Sequence, residues 1–344
     1  MAGLRHGKVW HLDRRTRSLV VPERIVASPD SISAEARAAL ERLVTDDGTP
    51  LYASHLMPSP EDHAAWISMR EAADAHYAGA MKALAGELRS KVTTLHRESA
   101  TVHVATPDRS FHEGRAVIDL HGGAFVFGGG EACKIGACRQ ADQHGVRCYG
   151  VDYRMPPEHP FPAALDDCIA AYRLVLERHD PSGIALCGRS AGGNLAAAML
   201  LRAREEGLPM PACMVLLSPQ VDLTESGDSF QTNRTIDVVL PRSLMPNNLL
   251  YANGRDLAEP FLSPLFGDLR GFPPTLLQAG TRDLFLSNTV RMHRALRRAG
   301  VAAELHVFEA MPHGGFGGGT PEDLELETEM RRFVADRLSA HHLR

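Results

Sequence analysis

The chain has 344 residues, 44% of them hydrophobic and 23% charged, the balance of an ordinary globular protein long enough to bury one large core with an appended piece. A formal net charge of -5 argues against nucleic acid as the main partner. No apolar stretch approaches the ~20 residues of a membrane span, so a membrane is not expected as a partner either.

The start, Met1 to Arg17, is polar and basic and lacks the apolar segment of a signal peptide. The pair Arg14-Arg15 is not followed by the apolar region a twin-arginine export signal needs, and a cytoplasmic location is expected. The six cysteines at 133, 138, 148, 168, 187 and 213 are scattered, several of them inside apolar runs, which predicts buried reduced thiols. Cys133 and Cys138 have no second pair at zinc-ribbon spacing, so no metal site is expected.

Residues 1 to about 90 read as helices without a sheet. Ser33 to Val44 is opened by serine and carries Ala36, Leu40 and Leu43 on one face, and Glu61 to Leu88 follows Pro58 and Pro60. From Lys91 the texture alternates. Val92 to Glu98 and Ala100 to Ala105 read as a strand pair, and Arg115 to Leu120 as a buried strand. Strands at Gly145–Val151, Ile184–Cys187, Ala212–Leu217, Thr275–Ala279 and Ala303–Phe308 then take turns with helices at Pro162–Glu177, Asn194–Glu206, Ser287–Ala299 and Pro321–Leu338. Alternation at this spacing predicts an α/β fold with a mostly parallel sheet covered on both faces. The last helix checks the periodicity, since Leu326, Met330, Phe333 and Val334 share one face. Between Pro219 and Phe272 the alternation gives way to a polar, proline-bearing stretch with one helix at Leu240–Tyr251, which reads as a lid or cap element.

Chemistry concentrates at three strand ends. Leu186-Cys-Gly-Arg-Ser-Ala-Gly-Gly-Asn-Leu-Ala196 puts Ser190 in a Gly-x-Ser-x-Gly frame between a strand and a helix, a nucleophile elbow. Gly188, Gly192 and Gly193 allow the backbone to fold back there, and the helix N-terminus favours negative charge. A serine hydroxyl needs a base, and the base an orienting acid. Asp283 and His313 follow Ser190 in the order expected for such an elbow, each just past a predicted strand. With 17 histidines in the chain, order alone would decide little; placement at strand ends is the stronger signal. A loop histidine and a helix-capping carboxylate are the structural alternatives. His121-Gly-Gly-Ala-Phe125 follows the strand ending at Leu120, and the amides of Gly122, Gly123 and Ala191 are the expected oxyanion donors. Gly128-Gly-Gly130 is a second glycine loop, and neither run carries the lysine of a phosphate-binding loop.

Taken together, His121-Gly-Gly-Ala-Phe, Tyr153-Arg-Met-Pro-Pro-Glu-His-Pro-Phe-Pro-Ala-Ala-Leu165, Gly188-Arg-Ser-Ala-Gly-Gly193, Ser263-Pro-Leu265 and Met311-Pro-His313 resemble the hormone-sensitive-lipase family of α/β-hydrolases, from about residue 90 to the C-terminus. The resemblance implies an α/β-hydrolase catalytic domain over 91–344 with a helical cap built from 1–90 and 220–272. It implies a carboxylesterase acting on short to medium acyl esters, with Ser190, Asp283 and His313 as triad and Gly122, Gly123 and Ala191 as oxyanion positions. It implies no cofactor, a small-molecule ester as substrate and a homodimer. His121 and Glu158 are expected to brace loops. Two positions depart from the pattern: Arg189 stands where an Asp, Glu or Thr is usual, pointing to a structural salt bridge or to positive charge near the site. Arg282-Asp-Leu-Phe-Leu-Ser287 lacks a second aspartate often seen after the acid. The alternatives within hydrolases are a lactone or a bulky-alcohol ester, the latter because Gly-Gly-Ala resembles an open oxyanion loop. A non-catalytic ligand-binding protein on the same fold is the alternative outside them.

Overall fold

The computed structural model describes residues 11–21, 25–54, 56–85, 88–109 and 111–339, and two units are distinguished, 1–31 and 32–344. In the first, β1 (His11–Asp13) pairs antiparallel with β2 (Ser18–Val20) around a turn in which Asp13 accepts the Arg15 amide at 2.9 Å. The first ten residues of the Met1–Arg17 stretch lie outside the described residues.

The second unit opens with α1 (Ala34–Glu41), capped by Ser33 whose hydroxyl accepts the Ala36 amide at 3.0 Å, and α2 (His63–Ala85). Residues 86–87 near the expected end of α2 are not among those described. Then come β3 (Lys91–Arg97), β4 (Ala100–Thr106), β5 (Ala116–Leu120), α3 (Glu131–His144), β6 (Arg147–Asp152), α4 (Ala163–Leu176), β7 (Ile184–Arg189), α5 (Ala191–Glu205) and β8 (Cys213–Leu217). After α6 (Ser229–Thr232) and α7 (Met245–Ala252) follow β9 (Thr275–Gly280), α8 (Leu286–Arg298), β10 (Ala303–Phe308) and α9 (Pro321–Ser339).

The sheet has the order β10-β9-β8-β7-β5-β6-β4-β3 and is parallel except where β4 pairs with β6 and with β3. Strand residues alternate between its two faces. Val117, Cys148, Ala185 and Val215 meet α3 and α9 on one side, where Leu326, Met330, Phe333 and Val334 form the expected stripe. Ile118, Tyr149, Leu186 and Met214 meet α4, α5 and α8 on the other. Each large side chain removed from water contributes about 1.5–3 kcal/mol, so both layers hold the strands in register. All six cysteines are free and buried, as their apolar settings predicted. No described helix is long and apolar enough to cross a membrane.

Helix α3 was not expected, and Gly145, read as the start of a strand, instead caps it in the left-handed region at φ 62°. Its buried face is built from Cys133, Ile135, Ala137, Cys138 and Ala141, small side chains that give a weak apolar period. Helix α5 starts three residues before the expected Asn194, directly after Ser190.

Candidate active site

Strand β5 lies between β6 and β7, so the chain leaves β5 to one side and returns on the other. That reversal opens a crevice at the carboxyl ends of β5 and β7, where open α/β sheets place their ligands. Ser190 and the His121-Gly122-Gly123 loop emerge there.

Ser190 has φ 55° and ψ -118°, a strained backbone for a residue with a side chain. Surrounding contacts enforce it. Its amide donates to Leu217 O at 2.9 Å and its carbonyl accepts from Gly193 and Gln220 at 3.0 and 3.1 Å. A Cβ on Gly188 would lie 2.3 Å from Gly192 O, and one on Gly192 2.0 Å from Leu120 O, so only glycine admits the fold-back.

The Ser190 hydroxyl lies 3.0 Å from His313 Nε2, and His313 Nδ1 lies 3.0 Å from Asp283 Oδ1. A carboxylate only accepts, so Nδ1–H donates to Asp283 and Nε2 is left to accept the serine proton. Ser190, His313 and Asp283 are 6%, 9% and 0% exposed, dry enough for these bonds to be strong, yet with the serine reachable. Asp283 Oδ1 also accepts the Phe285 amide at 2.8 Å ahead of α8, so the capping alternative and the orienting role coexist in one carboxylate. The Phe285 ring meets the imidazole edge-on with centroids 4.8 Å apart.

Gly122 packs against the serine: a Cβ there would stand 3.3 Å from Ser190 Cβ. Gly123, at φ 122°, has its carbonyl tied to the Val126 and Phe127 amides at 2.9 and 2.8 Å. Ala191 is the first residue of α5, where helical amides have no intrahelical acceptor. All six expected site residues therefore meet at the crevice. His121 Nδ1 donates to Gly122 O at 2.7 Å, its ring stacks on Tyr153 at 4.1 Å, and the Tyr153 hydroxyl donates to His121 O at 2.8 Å. Burial pushes the His121 imidazole down, so it is neutral and acts as a strut. Helix α2 crosses the loop on one face: Trp66 packs on Val126 and Phe127, Arg70 pairs with Glu158 at 2.6 Å, and Asp74 accepts the Gly128 amide at 2.7 Å. An open cleft of 590 Å³ is lined by Arg70, Asp74, Met155 and Glu158 together with Gly129 and Gly130, and Ser190 is not part of its lining.

Arg189 makes no ion pair within 4.0 Å among the described residues; its Nη1 donates to Gly314 O at 2.9 Å, next to the base. Sequence reasoning missed two further residues, both from the stretch after β8. Asn233 Nδ2 donates to Thr281 O and Asp283 O at 3.1 and 2.8 Å. Asp237 accepts the Leu284 amide at 2.7 Å and the His313 amide at 3.4 Å. Their signal was the break in alternation itself, a long polar segment that pays for its burial by bonding other loops. His121, Cys133 and Asp152 bring ligand atoms within 4.8 Å of one another. Burial holds the Cys133 thiol protonated and Asp152 already accepts the Gly130 amide at 3.0 Å, so the group is poorly suited to a cation.

A family profile described as the alpha/beta hydrolase fold matches residues 117–316, and the chain belongs to that family. It is similar to an acetyl-hydrolase of Streptomyces hygroscopicus, 36% identical over 203 residues covering 58% of this chain and 68% of the relative. It is also similar to esterase LipI of Mycobacterium tuberculosis, 32% identical over 249 residues covering 68% and 75%. Among solved structures, esterase E25 superposes with a TM-score of 0.86 at 35% identity over 93% of this chain and 98% of that one. An esterase from the bacterial hormone-sensitive lipase family superposes with a TM-score of 0.74 at 29% identity over 89% and 99%. The fold, the hormone-sensitive-lipase grouping and the carboxylesterase activity expected from the sequence agree with these matches.

Proposed function

We propose that the protein is a serine carboxylesterase in which Ser190 attacks the ester carbonyl, His313 takes the serine proton and returns it to the leaving alcohol, and Asp283 orients the imidazole. The acyl group passes to Ser190 Oγ as the alcohol departs; water, deprotonated by His313, then releases the acid. The amides of Gly122, Gly123 and Ala191 receive the carbonyl oxygen as it gains charge, each worth about 10²–10³ in rate. The observation that carries this reading is the pair of 3.0 Å hydrogen bonds joining residues from three separate strand ends. Short to medium acyl esters are the proposed substrates. Helix α2 and the 220–272 stretch serve as the cap, α2 bearing directly on the oxyanion loop through Trp66 and Asp74.

Hydrolysis of p-nitrophenyl esters from acetate to decanoate tests this, with Ser190→Ala alongside. Ser190→Ala should lower kcat by a factor on the order of 10⁶ while the fold persists; retained turnover would remove Ser190 from its role. The base must be neutral to take the serine proton, so activity should be lost in acid. A second reading, an ester of a bulky alcohol, is favoured by Ala124 at φ 52°, which turns the loop after Gly123; tertiary-alcohol esters cleaved faster than p-nitrophenyl esters would select it. Absence of both turnover and fluorophosphonate labelling would leave a binding protein.

A further inference from the structure

Asp237 is 1% exposed and receives only donors. Its Oδ1 accepts the amides of Val239, Leu240 and His313 at 2.9, 3.1 and 3.4 Å, and its Oδ2 that of Leu284 at 2.7 Å. One carboxyl therefore bonds the loop of the acid and the loop of the base. Asn233, whose carbonyl accepts the Asp237 amide at 2.8 Å, anchors the same turn to Asp283 O. The acid loop has no second carboxylate of its own, and this segment supplies one from elsewhere in the chain.

We propose that Asp237 is a positioning residue for the base and acid, holding both loops in register and adding its negative charge to the field in which the His313 imidazolium forms. The proposal rests on the serine-hydrolase reading above. Four backbone donors match an ionised carboxylate. Burial and the charge of Asp283 both push this carboxyl upward, and the imidazolium of His313 would draw it back. Two buried carboxylates beside a neutral imidazole repel each other; once Ser190 has given up its proton, a positive ring offsets both. Such an interaction is stronger in the transition state than in the ground state, which is the condition for raising kcat. The other charged groups around the base are Asp283 itself, Arg189 through Gly314 O, and Asp323, which accepts the Phe316 and Gly318 amides at 3.1 and 2.8 Å. Helix α1 presents Ala36, Ala39 and Leu40 to this loop, all apolar.

The test uses the full chain with Asp237→Asn, and with Asp237→Ser should Asn fail to fold. Competent serines are counted by fluorophosphonate titration, and kcat and KM for p-nitrophenyl butyrate are followed from pH 5 to 9. We expect kcat per competent serine to fall about 10- to 100-fold, below the ~10⁴ cost of disabling the orienting acid itself, with KM within about 2-fold. The acid limb of kcat/KM should move to lower pH, because the imidazolium loses a stabilising charge. A fall in kcat with an unmoved limb, or no fall at all, would overturn the proposal. Wild-type protein lacking Ser190-dependent turnover would instead overturn the esterase reading beneath it.

Discussion

Gly192→Ala is the sharpest steric test of the site. A Cβ at this position would stand 2.0 Å from Leu120 O and 2.5 Å from His121 O, where ordinary contact begins at 3.4 Å, an overlap of 1.4 Å (3.4 - 2.0). Both obstacles are backbone, and Leu120 is locked in register opposite Val151 and Gly188. The strand cannot yield, so the start of α5 must lift, and Ser190 moves with it while Gly122 stays with β5. A misplacement of about 1 Å costs on the order of 10² in rate, and overpacking costs about 1–3 kcal/mol of stability. We therefore expect kcat/KM for p-nitrophenyl butyrate to drop at least about 10²-fold in protein that still folds, with a lowered Tm. Gly136→Ala is the control: its Cβ would meet only Asp119 Oδ2 at 3.8 Å, in the middle of α3. That change should stabilise by about 0.5–1 kcal/mol through helix propensity and leave turnover alone. Activity of Gly192→Ala within about 3-fold of wild type, under 1 kcal/mol on the transition state, would refute the fold-back argument.

Arg189→Met removes the donor to Gly314 O and should lower kcat about 5- to 20-fold, the worth of about 1–2 kcal/mol for a lost charge-assisted bond, with KM unchanged. A rise in KM alone in steady-state kinetics would mean that the guanidinium binds substrate instead. Burial pushes Asp119 from 3.8 up to about 6, against the opposing charge of Arg189. Its folded value lies above the unfolded one, so between these pH values the folded protein holds the extra proton and stability falls as pH rises through the window. The loss is about 3 kcal/mol by pH 7. Asp119→Asn should accordingly raise the urea midpoint at pH 7.5 and leave it unchanged near pH 4; a gain at both values, or at neither, would contradict the assignment.

The strands of the eight-stranded sheet and most helices were legible because buried apolar runs and helical stripes impose their own period; the β1–β2 pair, in a stretch read as helices without a sheet, was not, since strands of three residues are too short to show one. Leu186 must face one layer and Cys187 the other, and α9 can bury only the side bearing Leu326, Met330 and Phe333. The site was legible for a related reason: an elbow needs glycines at 188 and 192, and a serine needs a base and an acid in a set order. Helix α3 was not, since alanine and cysteine fill the narrow gap over Gly150, where a Cβ would come within 2.8 Å of Ala137. Asp237 and Asn233 could not be found either. They act on backbone groups of loops 47 to 76 residues away, and a backbone donor or acceptor leaves no mark on the sequence.

That blindness has a direction. The parallel sheet brings Ser190, Asp283 and His313 to one edge in any sequence that keeps its strands, but bringing loops together is not holding them at 3.0 Å. In this chain Arg189 holds the base through Gly314, Asp237 holds base and acid together, and Asp74 of α2 holds the oxyanion loop through Gly128. Each of these charged side chains spends its hydrogen bonds on backbone, so each fixes where a loop sits without dictating which side chains the loop carries. At Asp237 burial makes the arrangement hard to relax, because a buried backbone group stripped of its partner costs about 1–3 kcal/mol. Catalytic geometry therefore follows from these buttresses, and the side chains that the loops carry can vary without moving it.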